Sequence, residues 1–263
     1  MKLFSFRLLT SVLLVLFSTI VFTGCTTVPE TGRRQMNFMS PGAEMQLGFS
    51  EFDKMKKDVP ISKDPAANAL LQKVGQRVAA VAPLPNAQWE FVVFESKEAN
   101  AFCLPGGKVG IYTGILPITK DEAGLATVIG HEVAHAVARH GGERISAAMG
   151  LQLLGVAVDA TTQNAKYHDV YVQGFGLGSQ LGVALPHSRL QESEADHLGL
   201  LYMARAGYDP EAAVGFWQRF AEFNNKQGGA TPWFLRTHPL DEKRVEQLKG
   251  WLPEAKGQFK PAK

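Results

Sequence analysis

A chain of 263 residues is long enough for one globular domain with a substantial core and short appendages. Its charges nearly balance, 27 basic against 25 acidic residues, and without the Lys2 and Arg7 of the first 24 residues both counts are 25. Such a neutral chain lacks the basic surface of nucleic-acid-binding proteins, so the composition argues against nucleic acid as a partner.

The first 24 residues have the features of an export signal. Two basic residues precede an apolar run, LLTSVLLVLFSTIVF, which is short for a membrane span and ends in small residues. The ending VFTGC resembles the lipobox of bacterial lipoproteins, in which the cysteine, here Cys25, is lipidated and becomes the N-terminus. By the same resemblance, Thr26 in place of an aspartate favours an outer-membrane anchor with the domain in the periplasm. The alternative is a plain N-terminal membrane anchor.

The rest of the chain predicts one domain over residues 40–263, preceded by a polar, turn-rich tether over residues 25–39. Ser40 and the proline after it are typical of a helix start, and DPAANALLQKVGQRVAAVA has apolar residues at helical spacing. WEFVVFES and KVGIYTGIL are predicted as strands, with NAFCLPGG as a turn between them, which indicates a small antiparallel sheet. Cys103 in this turn has no intramolecular disulfide partner if Cys25 is lipidated, so we expect it to be a small buried residue.

The second half is predicted to be mainly helical, which makes the fold class α+β. One helix begins at Asp121 and ends before Gly141 and Gly142, and others follow Pro186, run from about Pro210, and start at Pro239. Residues 145–185 are rich in glycine and alanine and leave two structures open, a hairpin of helices or a mobile flap over a cleft.

The segment His131-Glu132-Val133-Ala134-His135 is the motif with the most specific chemistry. Residues i and i+4 of a helix lie on one face, so both imidazoles can reach one metal ion. Glu132 lies about 100° around the helix from His131, where it can hold a water molecule beside the metal. A catalytic zinc site needs a third protein ligand and leaves a fourth position for water.

LQESEADHLGL, residues 190–200, offers three carboxylates for that third ligand. On a helical wheel with Glu192 at zero, Asp196 falls near 40° and Glu194 near 200°, while the apolar residues centre at about 320°. We therefore predict that Glu192 and Asp196 form the functional pair, and that Glu194 is a solvated residue near Arg205. The wheel leaves open which member of the pair binds metal.

Three segments in order, HEVAHAVARH, SRLQESEADHLGL and THPLDEKRVEQL, resemble the gluzincin endopeptidases related to the CAAX prenyl protease and the heat-shock protease HtpX. Within that family the resemblance is to the branch that includes the mitochondrial overlapping-activity protease and bacterial periplasmic lipoproteins. It extends from about Pro29, with TGRRQ, to about Leu248. It implies a zincin-like metalloprotease domain that binds one Zn²⁺ per chain, with the small sheet beside the helix of the first motif.

The resemblance also implies roles for single residues. Glu192 corresponds to the third zinc ligand beside His131 and His135, and Asp196 to an acid assigned as proton donor or transition-state helper. His238 corresponds to a histidine that lies near the zinc and either stabilises the tetrahedral intermediate or blocks the site.

Three more residues complete the comparison with the family. Arg244 corresponds to an arginine that commonly follows the histidine of the third motif. His140 and His187 have no counterpart, and we expect them to be helix-end or loop histidines.

The implied function is hydrolysis of peptide bonds, with protein or peptide substrates. Zinc lowers the pKa of water, Glu132 takes the proton and passes it to the leaving amine, and His238 or Asp196 stabilises the oxyanion. By family analogy, the strand around residues 108–115 offers an edge to an extended substrate. A periplasmic location then suggests quality control of envelope proteins.

Two other functions stay open. One is a zinc hydrolase of non-peptide bonds, which no residue favours. The other is a zinc-bearing protein that holds misfolded envelope proteins without cutting them. Structural zinc sites are usually closed and rich in cysteine, and Glu132 would have no purpose in one, so the protease is favoured.

Overall fold

The computed structural model describes residues 25–163, 165, 167–170, 172–173, 185–226, 234, 238 and 243–261. The predicted signal peptide, residues 1–24, lies outside the described residues, as does Pro239. The elements in chain order are β1 (Cys25–Thr27), β2 (Arg34–Met36), α1 (Pro41–Asp58), α2 (Pro65–Ala79), β3 (Glu90–Phe94), β4 (Ala101–Leu104), β5 (Lys108–Tyr112), α3 (Leu116–Thr119), α4 (Glu122–Val137), α5 (His140–Thr162), α6 (Leu185–Arg205), α7 (Glu211–Lys226) and α8 (Arg244–Gln258). The fold is mainly helical with two small sheets, which confirms the predicted class.

Side-chain caps explain where three helices begin. The side chains of Ser40, Asp64 and Asp121 accept hydrogen bonds from backbone N–H groups in the first turns of α1, α2 and α4. The start predicted at Ser40 is thus confirmed, and so is the one at Asp121.

The predicted end of α4 is wrong in detail. The helix ends at Val137, and the glycine pair lies in the first turn of α5. The break occurs at Arg139, which has a φ of 57°. Its side chain is fixed by Glu44 Oε2 at 2.9 Å and by the carbonyl of Met39 at 2.6 Å. A left-handed residue held by these contacts therefore separates the two helices, and glycine is not required there.

The three-stranded sheet has the order β3-β5-β4. Strand β4 pairs with β5 antiparallel, whereas β3 pairs with β5 in parallel, so this sheet is mixed and not purely antiparallel. The prediction of a turn over NAFCLPGG is wrong for residues 101–104, which form β4. The turn is limited to the residues that follow, where Gly106 and Gly107 have φ values of 86° and 84°.

Helices α4 and α6 pack together through two glycines. A Cβ atom on Gly130 would lie 2.7 Å from the carbonyl oxygen of Gly199, and one on Gly199 would lie 2.7 Å from the backbone nitrogen of His131. Neither side chain would fit without a shift of the backbone. The helix of the first motif therefore lies in direct contact with the helix of the second, and it also contacts strand β4 of the small sheet.

Residues 25–39, predicted as a tether, contain the antiparallel hairpin β1–β2. Val28 belongs to the main core, and the side-chain amide of Gln35 donates to the carbonyl of Ala138 at the end of α4 (2.9 Å). The segment is therefore structured and packs on the domain.

Residues 145–162 continue helix α5, while residues 174–184 lie outside the described part of the chain. Among the described helices, α5 is the one that is long and apolar enough to cross a membrane, by length and composition alone. Its most apolar stretch is largely exposed, as shown by Leu153 and Val156.

Candidate metal centre

Four buried side chains converge at one point between α4 and α6. They are His131, His135, Glu192 and His238, and one possible ligand atom from each lies within 4.8 Å of the others. The Nε2 atom of His131 is 3.1 Å from Nε2 of His135 and 3.2 Å from Nδ1 of His238. The carboxylate of Glu192 lies 3.3 Å from His131, 3.3 Å from His135 and 2.9 Å from His238.

This arrangement fits a zinc ion. A tetrahedral site with bonds of about 2.0 Å has ligand–ligand separations of about 3.3 Å, close to the distances between these four groups. Neutral imidazole lone pairs do not approach one another this closely without a proton or cation between them. Nitrogen and carboxylate oxygen are ordinary zinc ligands, and in this structure His238 lies where a fourth ligand would be.

The outer nitrogen of His131 is fixed by a carboxylate. Asp196 Oδ1 lies 2.9 Å from His131 Nδ1, and Arg244 Nε binds Asp196 Oδ2 at 2.6 Å. The guanidinium of Arg244 stacks on Trp217, 3.4 Å from the ring centre. Burial lowers the pKa of His131, but Asp196 and Glu192 outweigh it and raise that pKa to about 9. Asp196 thus contacts the face of His131 that points away from the ligand cluster.

The outer nitrogen of His135 meets a second histidine. His135 Nδ1 lies 2.8 Å from His140 Nδ1, and His140 Nε2 lies 2.9 Å from Glu194 Oε2. His140 begins α5, as a helix-end histidine would, but it is fully buried.

The prediction that Glu194 is solvated is wrong. The side chain is buried and also binds Arg33 and Thr31, whereas Arg205 binds Glu30. The helical wheel assumed that α6 is buried on one face, but the hairpin β1–β2 buries a second face of this helix. A polar hairpin sequence, TGRRQ, gave no hydrophobic signal for this contact.

Glu132 points toward the cluster from the cleft side. It is buried, its Oε1 has no hydrogen-bond partner among the described side chains, and it lies 3.4 Å from His238 Nε2. Burial raises the pKa of the Glu132 carboxyl, although nearby imidazoles oppose the shift. A carboxylate with a raised pKa and an unused oxygen suits a group that exchanges a proton with a bound molecule.

An open cleft of about 770 Å³ leads to this carboxylate. Its wall includes β4, with Phe102 and Leu104, and Tyr112 of β5. Cys103 also lines it and is partly buried, and burial raises the pKa of its thiol. Cys25 is exposed at the start of β1, and His187 lies in the first turn of α6, where its side chain is not described.

Comparisons with known proteins identify the family of this chain. Residues 65–252 match the model of "Peptidase family M48". The mitochondrial metalloendopeptidase OMA1 of Schizosaccharomyces pombe is 34% identical over 237 residues, which are 89% of this chain and 68% of that protein. OMA1 of Saccharomyces cerevisiae is 39% identical over 177 residues, 65% of this chain and 49% of that protein. The beta-barrel assembly-enhancing protease of Escherichia coli K12 is 26% identical over 230 residues, 83% of this chain and 46% of that protein. The chain therefore spans about two thirds of the first relative and about half of the other two.

Proposed function

We propose that this chain, which belongs to peptidase family M48 and is a zinc metalloendopeptidase, cleaves envelope proteins as part of periplasmic quality control. The observation that carries the chemistry is the buried convergence of His131, His135 and Glu192 beside the Glu132 carboxylate. In this proposal the first three hold one zinc ion per chain, and Glu132 is the catalytic base.

Zinc, when bound, supplies a Lewis acid that lowers the pKa of water and polarises the scissile carbonyl. The chain's own residues handle the protons. Glu132 takes a proton from the attacking water and donates it to the leaving amine. The burial that raises its pKa brings the carboxyl closer to the neutral range in which both transfers are efficient.

An extended substrate would pair with β4. The strand predicted for this purpose, residues 108–115, contains β5, which has neighbours on both sides and offers no free edge. Among the strands that the structure describes, β4 has a neighbour, β5, on one side only, and its residues line the cleft next to Glu132. Main-chain pairing at such an edge gives affinity for extended peptides of many sequences. The aromatic wall formed by Phe102 and Tyr112 favours an apolar side chain near the scissile bond.

His238 and Asp196 have different positions relative to the reaction. His238 lies between Glu192 and Glu132, so it must move away before a substrate can approach. In this proposal the displaced imidazole stabilises the oxyanion, the role that the family resemblance implies for His238. The position of Asp196 behind His131 supports a role in orienting that ligand, with proton donation as the alternative.

The envelope location rests on the N-terminal sequence and on one relative. VFTGC supports lipidation of Cys25, and Thr26 in place of an aspartate favours an outer-membrane anchor. The hairpin that begins at Cys25 would then place the domain close to the membrane. The name of the Escherichia coli relative refers to beta-barrel assembly, whereas the OMA1 relatives are named as mitochondrial. The exchange Cys25→Ser should release the protein from membranes, and unchanged fractionation would favour a plain membrane anchor.

A second candidate is a zinc-bearing holdase. The observation that favours it is His238 Nδ1, which completes a set of four protein groups, as in closed structural sites. Cleavage of casein by wild type and Glu132→Gln, with zinc content measured in parallel, separates the two functions. We expect stoichiometric zinc in both proteins and loss of cleavage in the variant. Glu98→Gln in the same cleft is the matched control and should remain active. Equal cleavage by Glu132→Gln would contradict its role as catalytic base, and a zinc-loaded wild type that does not cleave casein would favour the holdase.

A further inference from the structure

A chain of three buried groups leaves the metal centre on the side away from the cleft. It runs from His135 through His140 to Glu194, with contacts of 2.8 and 2.9 Å. Of these three residues, His135 lines the substrate cleft, whereas His140 and Glu194 do not. The proposed catalytic mechanism does not use His140 or Glu194, so their burial next to a metal ligand needs another explanation.

The positions of the protons in this chain follow from metal binding. If His135 binds through Nε2, its proton is on Nδ1 and is donated to His140. His140 Nδ1 is then an acceptor, so its proton is on Nε2 and is donated to the Glu194 carboxylate. Every nitrogen has a partner in this order. In the reverse order, with His140 Nδ1 as the donor, His140 Nε2 would be unprotonated and face an anion.

The hairpin β1–β2 holds the end of this chain. Arg33 Nε donates to Glu194 Oε2 at 2.7 Å, and the hydroxyl of Thr31 donates to the other oxygen, Oε1. The same guanidinium binds both oxygens of Glu143 at 2.8 and 2.9 Å. These contacts from Thr31 and Arg33 fix the Glu194 carboxylate in place, so its position depends on the hairpin.

We propose that His140, Glu194 and the hairpin residues Thr31 and Arg33 are positioning residues of the metal centre. They hold His135 in the tautomer and the ring orientation in which Nε2 faces the ion. Both histidine ligands would then be supported by a carboxylate, His131 directly and His135 through His140. Second-layer partners of this kind typically change metal affinity 10- to 100-fold. The inference rests on the metal centre of the proposed function.

The test measures metal binding by the full chain. Zinc dissociation constants come from competition with a chromophoric chelator, and the cobalt-substituted protein gives the d–d absorption spectrum. We expect Glu194→Leu to bind zinc about 10- to 100-fold more weakly and to shift the cobalt bands. Glu194→Gln, whose amide oxygen still accepts from His140, should recover part of the affinity. Glu254→Leu is the matched control, because Glu254 also pairs with a histidine of α6, His197 at 2.8 Å, in an exposed contact outside the cluster.

The outcomes separate this inference from the proposed function. Zinc affinity of Glu194→Leu within twofold of wild type, with an unchanged cobalt spectrum, would overturn the inference and leave the function intact. A wild-type protein without stoichiometric zinc would instead contradict the proposed function. If Glu194→Leu does not fold, the comparison is made between Glu194→Gln and the control Glu254→Gln. Weaker zinc binding by Glu194→Gln than by the control supports the inference, and equal zinc binding overturns it.

Discussion

The two histidines of α4 that are proposed to bind the metal are supported in different ways. His131 is backed by Asp196, one step away, inside a fully buried cage with Arg244 and Trp217. His135 is backed by Glu194 through an intervening histidine, and that carboxylate is held by a hairpin at the surface. The support of His131 lies within the helical core, whereas the support of His135 depends on an N-terminal hairpin that packs on the domain. The His135 side is therefore the one through which a change in the hairpin β1–β2 would affect the metal centre.

The largest expected effect is on zinc binding, and it distinguishes a residue that binds the metal from one that only orients a ligand. Glu192→Ala removes a direct ligand, and we expect the purified protein to lose stoichiometric zinc in metal analysis. Glu194→Ala should retain zinc but bind it more weakly, because it removes only a second-layer partner. Equal zinc loss in both variants would contradict the assignment of Glu192 as ligand and Glu194 as support.

The support of His131 should be the more costly one to break. Asp196→Asn removes the nearer carboxylate of the buried Arg244 guanidinium, 2.6 Å away against 3.6 Å for Glu192, and breaking a buried pair typically costs about 3 kcal/mol or more. We expect that loss in the free energy of unfolding by urea. Glu211→Gln, which removes an exposed partner of Lys256, is the control and should leave the curve unchanged.

The close approach of α4 and α6 is a feature that both supports need. Gly199→Ala would place a methyl group 2.7 Å from the backbone nitrogen of His131, and overpacking of this kind costs about 1–3 kcal/mol. Thermal unfolding should therefore occur at a lower temperature. Gly150→Ala, in α5 where a Cβ meets no neighbour, should be neutral or stabilising.

The smallest effect tests the hairpin. Arg33→Lys keeps the charge but loses the fork that binds Glu194 and Glu143 together, so we expect a loss of about 1 kcal/mol and a modest fall in zinc affinity. Its neighbour Arg34 is exposed and provides the control, Arg34→Lys. If Arg33→Lys matches this control in both unfolding free energy and zinc affinity, the hairpin does not support His135.

The sequence predicted the His131 side better than the His135 side for a physical reason. Histidines four residues apart on a helix, and acids four apart on another, show their common face through helical periodicity alone. The pairing of Glu194 with His140 and Arg33 joins three segments far apart in the chain, and a wheel of one helix contains no information about its second neighbour. The strand β4 was missed because its four residues are followed directly by a proline and two glycines, which are typical of a turn.

The most direct test of the central claim is a crystal structure of the zinc-loaded full chain with anomalous diffraction at the zinc edge. The account predicts one zinc peak within bonding distance of His131 Nε2, His135 Nε2 and a Glu192 oxygen. It further predicts that His140 lies between His135 Nδ1 and Glu194. A peak bound by Asp196 or Glu194, or a His135 that binds through Nδ1, would contradict it.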